Sequence, residues 1–523
     1  MIFRVSVFLV ATLLAGAANA AGTSADVVRN LASRVGPIVG AASACQAIDQ
    51  GRVQAIVDKF REVIREASAG ASDRDELTRV FNGFVADGRN RVGASQTDCT
   101  TAGRQLAELE RSLGQAAPSQ SSSGFGGVIG ATPAAAATAP TATLPATLTS
   151  NVQGVTANEI RFGICGPFSG ASRELGRQMK LGIEAAFNRA NDAGGIAGRS
   201  LRLFAADDGY EPARTLEAMR QLYEKDKVFG FVGNVGTPTA AVAMPYALQH
   251  RTLFYGAFTG ANILRNDPPD RYVFNYRASY AEETNSVVHY LLKIRRLQPK
   301  DIAVFAQQDS YGDAGFAGVS KAFRALGLPD SAILRLNYKR NTVDVEEAVN
   351  QMRAMKNPPK AIVMVATYRA AAKFIERTRD LYPNMIYTNV SFVGSTELSD
   401  ELMLLGPRYA SGVIVTQVVP AVGGYSSAVL EYKTALEKYF PGEAPSYVSF
   451  EGYVSANVLI QALKRVGPQL DTEALIDTLE NMRDVDLGLG AKLGFGRAEH
   501  QASHKIWGTA LDERGKYQAI ELE

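Results

Sequence analysis

The side chains that most often carry chemistry are scarce in this sequence of 523 residues. It contains four histidines and three cysteines, and none has the spacing of a zinc site such as C-x2-C or H-E-x-x-H. The sequence also lacks the G-x-S-x-G turn that exposes the nucleophile of many hydrolases. We therefore expect no enzyme, no metal site and no cofactor; a hydrolase that uses a serine or an aspartate is the alternative.

The charges of the chain nearly cancel. Lysine and arginine number 55 against 53 aspartates and glutamates, a formal net charge of +2. Proteins that bind nucleic acid through a broad basic face carry a clear excess of positive charge. The balance therefore predicts no nucleic-acid partner. Apolar residues make up 46% of the chain, which is enough to build a buried core.

The first twenty residues have the pattern of a secretory signal peptide. Arg4 precedes an apolar run that ends at Ala18, and the small residues of Ala18-Asn19-Ala20 form a cleavage site. The run is shorter than the roughly 20 residues that a membrane-spanning helix needs. We expect residues 1–20 to be removed and the rest to be soluble in an oxidising compartment; an uncleaved anchor is the alternative.

Residues 21–114 are predicted to form a small helical module. Their apolar residues recur at helical spacing, for example at Ile56 and Phe60. The module contains Cys45 and Cys99, the only pair of cysteines outside the main body. Because an oxidising compartment permits disulfides, we predict a bridge between these two residues.

Residues 115–157 are predicted to be a linker. Alanine, serine, threonine, proline and glycine dominate this segment, and no residue between Ser112 and Asn158 is charged. Several prolines interrupt any helix that the alanines would favour.

Beyond residue 158, short apolar runs alternate with amphipathic stretches. The predicted strands are 160–165, 201–206, 228–232, 252–255, 302–306, 361–366 and 412–418. The predicted helices are 174–191, 212–225, 238–249, 280–296, 313–326, 345–356 and 369–380. This order indicates parallel sheets joined by right-handed crossovers. Because about 360 residues are too many for one open sheet, we expect an α/β fold with two lobes.

Ligands of open parallel sheets bind at the loops that follow the carboxyl ends of the strands. Here those loops contain small, hydroxyl-bearing and aromatic residues with few charges, as in Gly166-Pro-Phe-Ser-Gly170 and Gly256-Ala-Phe-Thr-Gly-Ala261. Such a lining suits a small polar organic molecule that is held by hydroxyls, backbone amides and aromatic faces.

With these loops, the sequence resembles the leucine/isoleucine/valine-binding type of periplasmic substrate-binding protein, the type I receptors of ABC transporters. The resemblance covers about residues 158–515. It rests on six segments in the same order: Gly166-Pro-Phe-Ser-Gly170, Asn191-Asp-Ala-Gly-Gly-Ile-Ala-Gly198, Asp207-Asp208 with Pro212, Phe258-Thr-Gly-Ala261, Phe274-Asn-Tyr-Arg-Ala-Ser-Tyr280 and Asp309-Ser-Tyr-Gly312.

The resemblance implies a type I fold whose two lobes are joined by three crossing segments, near residues 277, 418 and 497. Residues 158–277 and 419–497 would form the first lobe, and residues 278–418 and 498–523 the second. Such lobes close on a ligand by a hinge motion.

The resemblance also implies which residues bind the ligand. Positions that hold the α-carboxylate and the amino group of an amino acid on the first lobe are matched by Thr237, Ala257 and Thr259. Aromatic positions that line the cleft are matched by Tyr311, Tyr368 and Tyr453.

The partner of the ligand ammonium is left open. Amino-acid receptors of this family use an acidic residue of the second lobe, and either Thr396 or Glu397 matches it, depending on a one-residue shift. An inward Glu397 favours an amino acid, whereas an inward Thr396 favours a ligand without an ammonium group. Glu397 could instead cap a helix expected to begin near Ser399. Asp309 and Glu451 are further candidates.

The expected function is that of a periplasmic solute-binding protein. It would capture a small polar ligand, an amino acid of the branched-chain type or a related amide or organic acid, and deliver it to an inner-membrane ABC permease. Arg173, near the mouth of the cleft, favours a carboxylate ligand. The alternative is a ligand-sensing or protein-interaction receptor with the same lobes, in which the helical module contacts an unknown protein and transport plays no part.

Overall fold

The computed structural model describes residues 24–68, 70–93, 99–114 and 152–522. The predicted signal peptide and most of the predicted linker lie outside the described residues. The chain divides into two compact units, one up to Pro140 and the other from Thr141 onwards.

The described part of the first unit is a bundle of helices. Their bounds are α1 Ser24–Ser43, α2 Gln50–Ala67, α3 Ala71–Gly93 and α4 Cys99–Gly114. Buried apolar residues at helical spacing form its core, and the rings of Phe60 and Phe81 stack there with their centroids 4.4 Å apart. A disulfide joins Cys45 to Cys99, which confirms that prediction.

Helices α1 and α3 approach each other closely at two glycines. A Cβ atom on Gly40 would lie 2.0 Å from the backbone oxygen of Val85, and one on Gly88 would lie 2.2 Å from that of Pro37. These distances are far shorter than a van der Waals contact, so the helix pair has no room for a side chain at either position.

We expect Gly40→Ala to destabilise the bundle by ~1–3 kcal/mol, because the added methyl group forces the helices apart. Gly83→Ala is the matched control, since Gly83 is exposed on α3 and a Cβ there would meet nothing within 4 Å. That change should stabilise the helix by ~0.5–1 kcal/mol, because alanine is the better helix former. Thermal unfolding, monitored by circular dichroism, gives the melting temperature of each variant. Equal changes in melting temperature for Gly40→Ala and Gly83→Ala would contradict the packing argument.

The second unit begins with a five-stranded parallel sheet in the order β2-β1-β3-β4-β5. The strands are β1 Glu159–Gly166, β2 Ser200–Asp207, β3 Gly230–Val232, β4 Leu253–Tyr255 and β5 Val273–Phe274. The connecting helices are α5 Arg173–Asp192, α6 Pro212–Arg220 and α7 Thr237–Gln249. We call this sheet and the helices packed on it the first lobe.

A seven-stranded sheet follows in the order β12-β11-β10-β9-β8-β6-β7. The strands are β6 Ile302–Gln307, β7 Leu334–Tyr338, β8 Ala361–Val365, β9 Ile386–Asn389, β10 Ile414–Gln417, β11 Trp507–Leu511 and β12 Tyr517–Ile520. Its helices are α8 Tyr280–His289, α9 Ser310–Ala325, α10 Glu346–Arg353, α11 Tyr368–Arg379, α12 Ser395–Leu405 and α13 Pro407–Ala410. We call this sheet with its helices the second lobe.

The prediction of two α/β lobes is confirmed, with one difference at an edge. Strands β6 to β10 are parallel, as expected, but β11 is antiparallel to β10 and β12 is antiparallel to β11. A short turn, not a helix, joins β11 to β12, which accounts for the antiparallel direction of that last pair.

Three further helices lie between β10 and β11. They are α14 Ser427–Tyr439, α15 Tyr447–Val466 and α16 Thr472–Glu480. Helix α15 packs tightly on α5 of the first lobe, where a Cβ on Gly182 would lie 1.8 Å from the backbone oxygen of Ser449. The chain therefore returns to the first lobe after β10.

Short helical turns complete the described elements. Two π-helical turns, Gln221–Lys225 and Tyr290–Ile294, continue α6 and α8. The 3-10 turns are Asn262–Leu264, Pro299–Asp301, Asp330–Ala332 and Ser391–Val393. None of the helices in the described ranges is both long and apolar enough to cross a membrane.

The segments that pass between the lobes meet each other. Asn275 and Gln501 form a parallel β-bridge, and the Tyr276 hydroxyl donates to the backbone oxygen of Val418 at 2.9 Å. Residues of all three crossing segments thus contact one another, as a hinge between two lobes requires. The lobe bounds given above from the sequence stay predictions.

Candidate ligand-binding site

The loops after β3 and β4 bring two threonine hydroxyls together. Thr237 begins α7 and Thr259 follows β4; their Oγ1 atoms lie 2.7 Å apart and both residues are fully buried. The backbone N–H of Thr259 donates to the oxygen of Ala257, which is also buried, at 2.8 Å. The structure therefore collects the three residues predicted on the first lobe into one patch.

Backbone geometry holds this patch in place. Val235 and Phe258 pair in parallel beyond the ends of their strands, so the two loops run side by side. Gly236, which precedes α7, has a φ of +106°, and a Cβ there would lie 2.3 Å from the ring of Tyr210. Hydroxyl groups at the N-terminus of a helix suit an anion, because free N–H groups and the helix dipole both favour negative charge.

Tyr311 belongs to a group of aromatic rings that joins the two lobes. The Phe392 centroid lies 4.8 Å from that of Tyr311 and 5.0 Å from that of Phe258, which stands between Ala257 and Thr259. The Tyr311 side chain is fully buried, yet its hydroxyl has no hydrogen-bond partner. A buried hydroxyl in this condition is available to a ligand.

A second meeting point of the lobes lies at Gly394, which has a φ of +79°. A Cβ there would lie 2.7 Å from Leu175, 3.0 Å from the Glu397 carboxylate and 3.5 Å from the Tyr368 ring. The Tyr368 hydroxyl donates to the backbone oxygen of Ala171 at 2.7 Å and so spans from the second lobe to the first.

Glu397 is a buried carboxyl whose Oε2 atom has no hydrogen-bond partner. Its pKa is raised to about 7, chiefly by burial; a hydrogen bond from the backbone opposes this change, the nearby carboxylates of Glu174 and Asp400 add to it, and Arg177 opposes it. The structure places Glu397 inside and leaves Thr396 half-buried. Which group of a ligand Glu397 meets stays a prediction.

The expectation that a helix begins near Ser399 is wrong, because α12 begins at Ser395. The left-handed conformation of Gly394 starts the helix earlier. Glu397 consequently lies in the first helical turn, where the helix dipole favours an acidic side chain.

The two further acidic candidates already have partners. Asp309 accepts hydrogen bonds from the Tyr311 N–H at 3.0 Å and from Arg340 at 2.9 Å. Glu451 lies 3.5 Å from the guanidinium of the fully buried Arg277. Among the acidic residues considered from the sequence, Glu397 therefore has the freest carboxylate oxygen.

Tyr453 lies apart from these groups, and Arg173 is at the surface beside them. The Tyr453 hydroxyl accepts a hydrogen bond from Arg189 at 3.0 Å and borders a cavity of about 650 Å³ that none of the other predicted ligand residues lines. Arg173 is exposed and pairs with Glu174 at 3.3 Å. Arg173 lies between Ala171 and Leu175, which both contact the second lobe near Gly394, but its own guanidinium pairs with Glu174.

Sequence reasoning missed Phe392 and Arg277 as residues of the cleft. Phe392 follows β9, a short strand that the apolar pattern did not reveal. The Arg277 guanidinium lies 5.2 Å from the Phe258 ring and donates to Glu283 at 3.0 Å. It stands inside one of the quoted segments, Phe274-Asn-Tyr-Arg-Ala-Ser-Tyr280, so its position in that motif was the available signal.

A family model for periplasmic binding proteins matches residues 159–516. The chain belongs to the periplasmic binding protein family. The match begins with β1 and ends before β12, and the helical module lies outside it. The resemblance inferred from the loop segments is thereby confirmed.

Within the described residues, no group of three or more His, Cys, Asp or Glu side chains could hold a metal ion.

Known relatives of this periplasmic binding protein fall in the same class. An amino acid binding protein of Pseudomonas aeruginosa is 23% identical over 379 residues, which cover 71% of this chain and 96% of that protein. Leu/Ile/Val-binding protein homolog 3 of Brucella melitensis is 24% identical over 335 residues, covering 64% and 86% of the two chains. The crystal structure of a possible leucine/isoleucine/valine-binding protein from Rhodopirellula baltica is 38% identical, with a TM-score of 0.66 over 71% of this chain and 98% of that one.

Proposed function

We propose that this protein is a periplasmic receptor that captures a small amino acid of the branched-chain type and delivers it to an ABC permease in the inner membrane. One observation carries the proposal: the first lobe has a buried threonine pair in the loops after β3 and β4, and the second lobe has a buried carboxyl, Glu397, whose Oε2 atom has no hydrogen-bond partner. The names of the relatives from Pseudomonas aeruginosa and Brucella melitensis support the same ligand class.

Each part of an amino acid has a matching group in this proposal. Thr237 and Thr259 would hold the α-carboxylate through their hydroxyls. Glu397 would pair with the ammonium group, and the unpaired carboxyl then gains the cationic partner that burial otherwise denies it. Leu175 and the ring of Phe392 would contact an aliphatic side chain.

Transport in this proposal rests on closure, without any chemical step. Contacts from both lobes are complete only when the cleft is closed, so the ligand shifts the equilibrium towards the closed form. A permease that recognises the closed form would then accept the loaded receptor.

A second candidate function follows from the helical module. The bundle is closed by its own disulfide and lies outside the family match. A sensing receptor that uses this bundle to contact another protein would keep the same lobes but have no transport role.

A thermal-shift screen separates ligand classes. We expect L-leucine, L-isoleucine or L-valine to raise the melting temperature of the lobes, because a ligand that binds only the folded state stabilises it by about 2.7 kcal/mol at a hundredfold excess over Kd. Acetamide and 4-methylpentanoate are the comparison ligands, the first without either charge and the second without the ammonium. A shift with 4-methylpentanoate alone would contradict the amino-acid assignment, and no shift with any compound would favour the sensing receptor.

A further inference from the structure

The loop after β2 also contacts the turn after β7. Arg340 donates to Glu211 at 2.9 Å through Nη2 and to Asp309 at 2.9 Å through Nη1. The side chain of Asn341 donates to the other carboxylate oxygen of Glu211 at 2.6 Å and to the backbone oxygen of Gly209 at 3.1 Å. Glu211 belongs to the first lobe, whereas Arg340, Asn341 and Asp309 belong to the second.

We propose that the Glu211–Arg340–Asp309 bridge is a latch that slows the opening of the cleft and thereby sets the lifetime of the bound ligand. The part of this inference that concerns a ligand rests on the function proposed above. The part that concerns closure does not, because the bridge joins the lobes in the protein alone.

The latch is connected to the ligand site through Asp309. One carboxylate oxygen of Asp309 caps α9 by accepting from the N–H of Tyr311 at 3.0 Å, and the other accepts from Arg340 and, at 2.8 Å, from Gln307. Gln307 also donates to the hydroxyl of Tyr210 at 3.2 Å. The helix that carries Tyr311 is thus held by the same carboxylate that anchors the latch.

Left-handed backbone conformations lie on both sides of the bridge. Tyr210, which precedes Glu211, has a φ of +61°, and Asn341 has a φ of +59°. Residues other than glycine seldom adopt this left-handed conformation, and a bulky tyrosine does so rarely. Such residues persist where surrounding contacts over-determine them, which is typical of clamps and switch regions.

The bridge should hold the lobes together more strongly than an ordinary surface ion pair would. The Arg340 side chain is 24% exposed and that of Asp309 is 14% exposed, whereas that of Glu211, the partner from the first lobe, is 40% exposed; solvent therefore screens the Glu211 pair more than the Asp309 pair. One guanidinium also binds two carboxylates from different lobes, and charge-assisted bonds of this kind are stronger than neutral ones. An isolated exposed pair contributes little by comparison.

The test uses Glu211→Gln in the full chain, which removes the first-lobe charge and leaves the Arg340–Asp309 pair in place. With L-isoleucine as the probe, we expect ligand dissociation in stopped flow to be about three- to tenfold faster, with little change in the association rate. The matched control is Asp313→Asn, because Asp313 pairs with Arg335 at 2.7 Å within the second lobe alone. This control should leave the dissociation rate unchanged.

A second readout needs no ligand. Spin labels on exposed sites of the two lobes report the distance between them, and we expect Glu211→Gln to reduce the closed fraction of the ligand-free protein. Added salt should reduce that fraction in the wild type and have a smaller effect in Glu211→Gln, because screening acts on a charge pair that the variant lacks.

The outcomes distinguish the two proposals. Equal closed fractions and equal dissociation rates for the wild type and Glu211→Gln would overturn the latch, whatever the ligand. If the wild type binds no amino acid but Glu211→Gln still opens the ligand-free protein, the latch stands and the proposed function fails.

Discussion

Replacing Glu397 with glutamine is expected to weaken the binding of L-leucine or L-isoleucine about 30-fold or more. Loss of one member of a buried, hydrogen-bonded charge pair costs ~2 kcal/mol or more, because the other charge is left without a partner. Isothermal titration calorimetry measures the change. The matched control is Glu401→Gln on the same helix, since Glu401 pairs with Arg369 at the surface.

The ligand itself supplies a second control. 4-Methylpentanoate has the aliphatic chain and the carboxylate of leucine but no ammonium group, so any binding of it should not weaken in Glu397→Gln. An amino-acid affinity that survives this substitution would show that the ammonium pairs elsewhere.

The same substitution should change how binding depends on pH. The pKa of Glu397 in the ligand-free protein is about 7, and an ammonium ligand prefers the ionised carboxylate. Affinity should therefore rise with pH up to about 7, by as much as about tenfold per pH unit, and then level off. Glu397→Gln should bind with a flatter profile over this range.

The stability of the ligand-free protein should show the opposite trend. The folded pKa of Glu397 lies above its ordinary value of 4.5, so its contribution is fully present below about pH 4.5 and is lost as the pH rises through about 7. The loss amounts to about 3 kcal/mol at most. Burial also raises the pKa of Glu451 to about 7, so the difference between the wild type and Glu397→Gln isolates the part due to Glu397.

Removal of the Cys45–Cys99 disulfide is expected to destabilise the helical module by ~2–4 kcal/mol. The bridge joins residues 54 positions apart, and closing a loop of this length restricts the unfolded chain strongly. The double variant Cys45→Ala, Cys99→Ala should therefore unfold its module at a lower temperature, whereas the transition of the lobes stays in place.

Calorimetry of the full chain follows both transitions. A reducing agent should lower the melting temperature of the wild-type module as much as the double substitution does. It should leave the melting temperature of the double variant unchanged. Cys165→Ala is the control, because that free thiol lies in the first lobe, where it donates to Asp208 at 3.3 Å. A module transition that does not respond to reduction would contradict the prediction.

Part of this fold could be predicted from the sequence: helix α5 and the three-residue strands β3 and β4 were expected, whereas the 20-residue helix α15 and the strands β5 and β9 were not. The pattern over 174–191 predicted α5, which the structure shows at Arg173–Asp192. Strand β5 has only two residues and β9 only four, which is too short to show a period. The antiparallel edge formed by β11 and β12 was missed as well, since strand direction depends on pairing with a distant segment.

Some residues of the candidate site could likewise be predicted from the sequence, and others could be found only in the structure. The family resemblance predicted Thr237 and Thr259, and the structure brings their hydroxyls together because the carboxyl ends of parallel strands gather at one edge of a sheet. The choice between Thr396 and Glu397 needed the start of α12. Phe392 and the position of Tyr453 depended on how helices pack across the chain.

By itself, the sequence determined the class of protein, the disulfide in the module, the two lobes and the chemistry of the loops. The class of protein came from the resemblance of ordered motifs to a known family, and the other properties came from composition, periodicity and the placing of the cysteines. The tertiary structure alone decided that the buried Glu397 has a carboxylate oxygen without a hydrogen-bond partner, that an aromatic group joins the lobes and that Arg340 binds carboxylates from both of them. Each of these depends on segments far apart in sequence that meet only in the folded chain, and no local pattern encodes such a meeting.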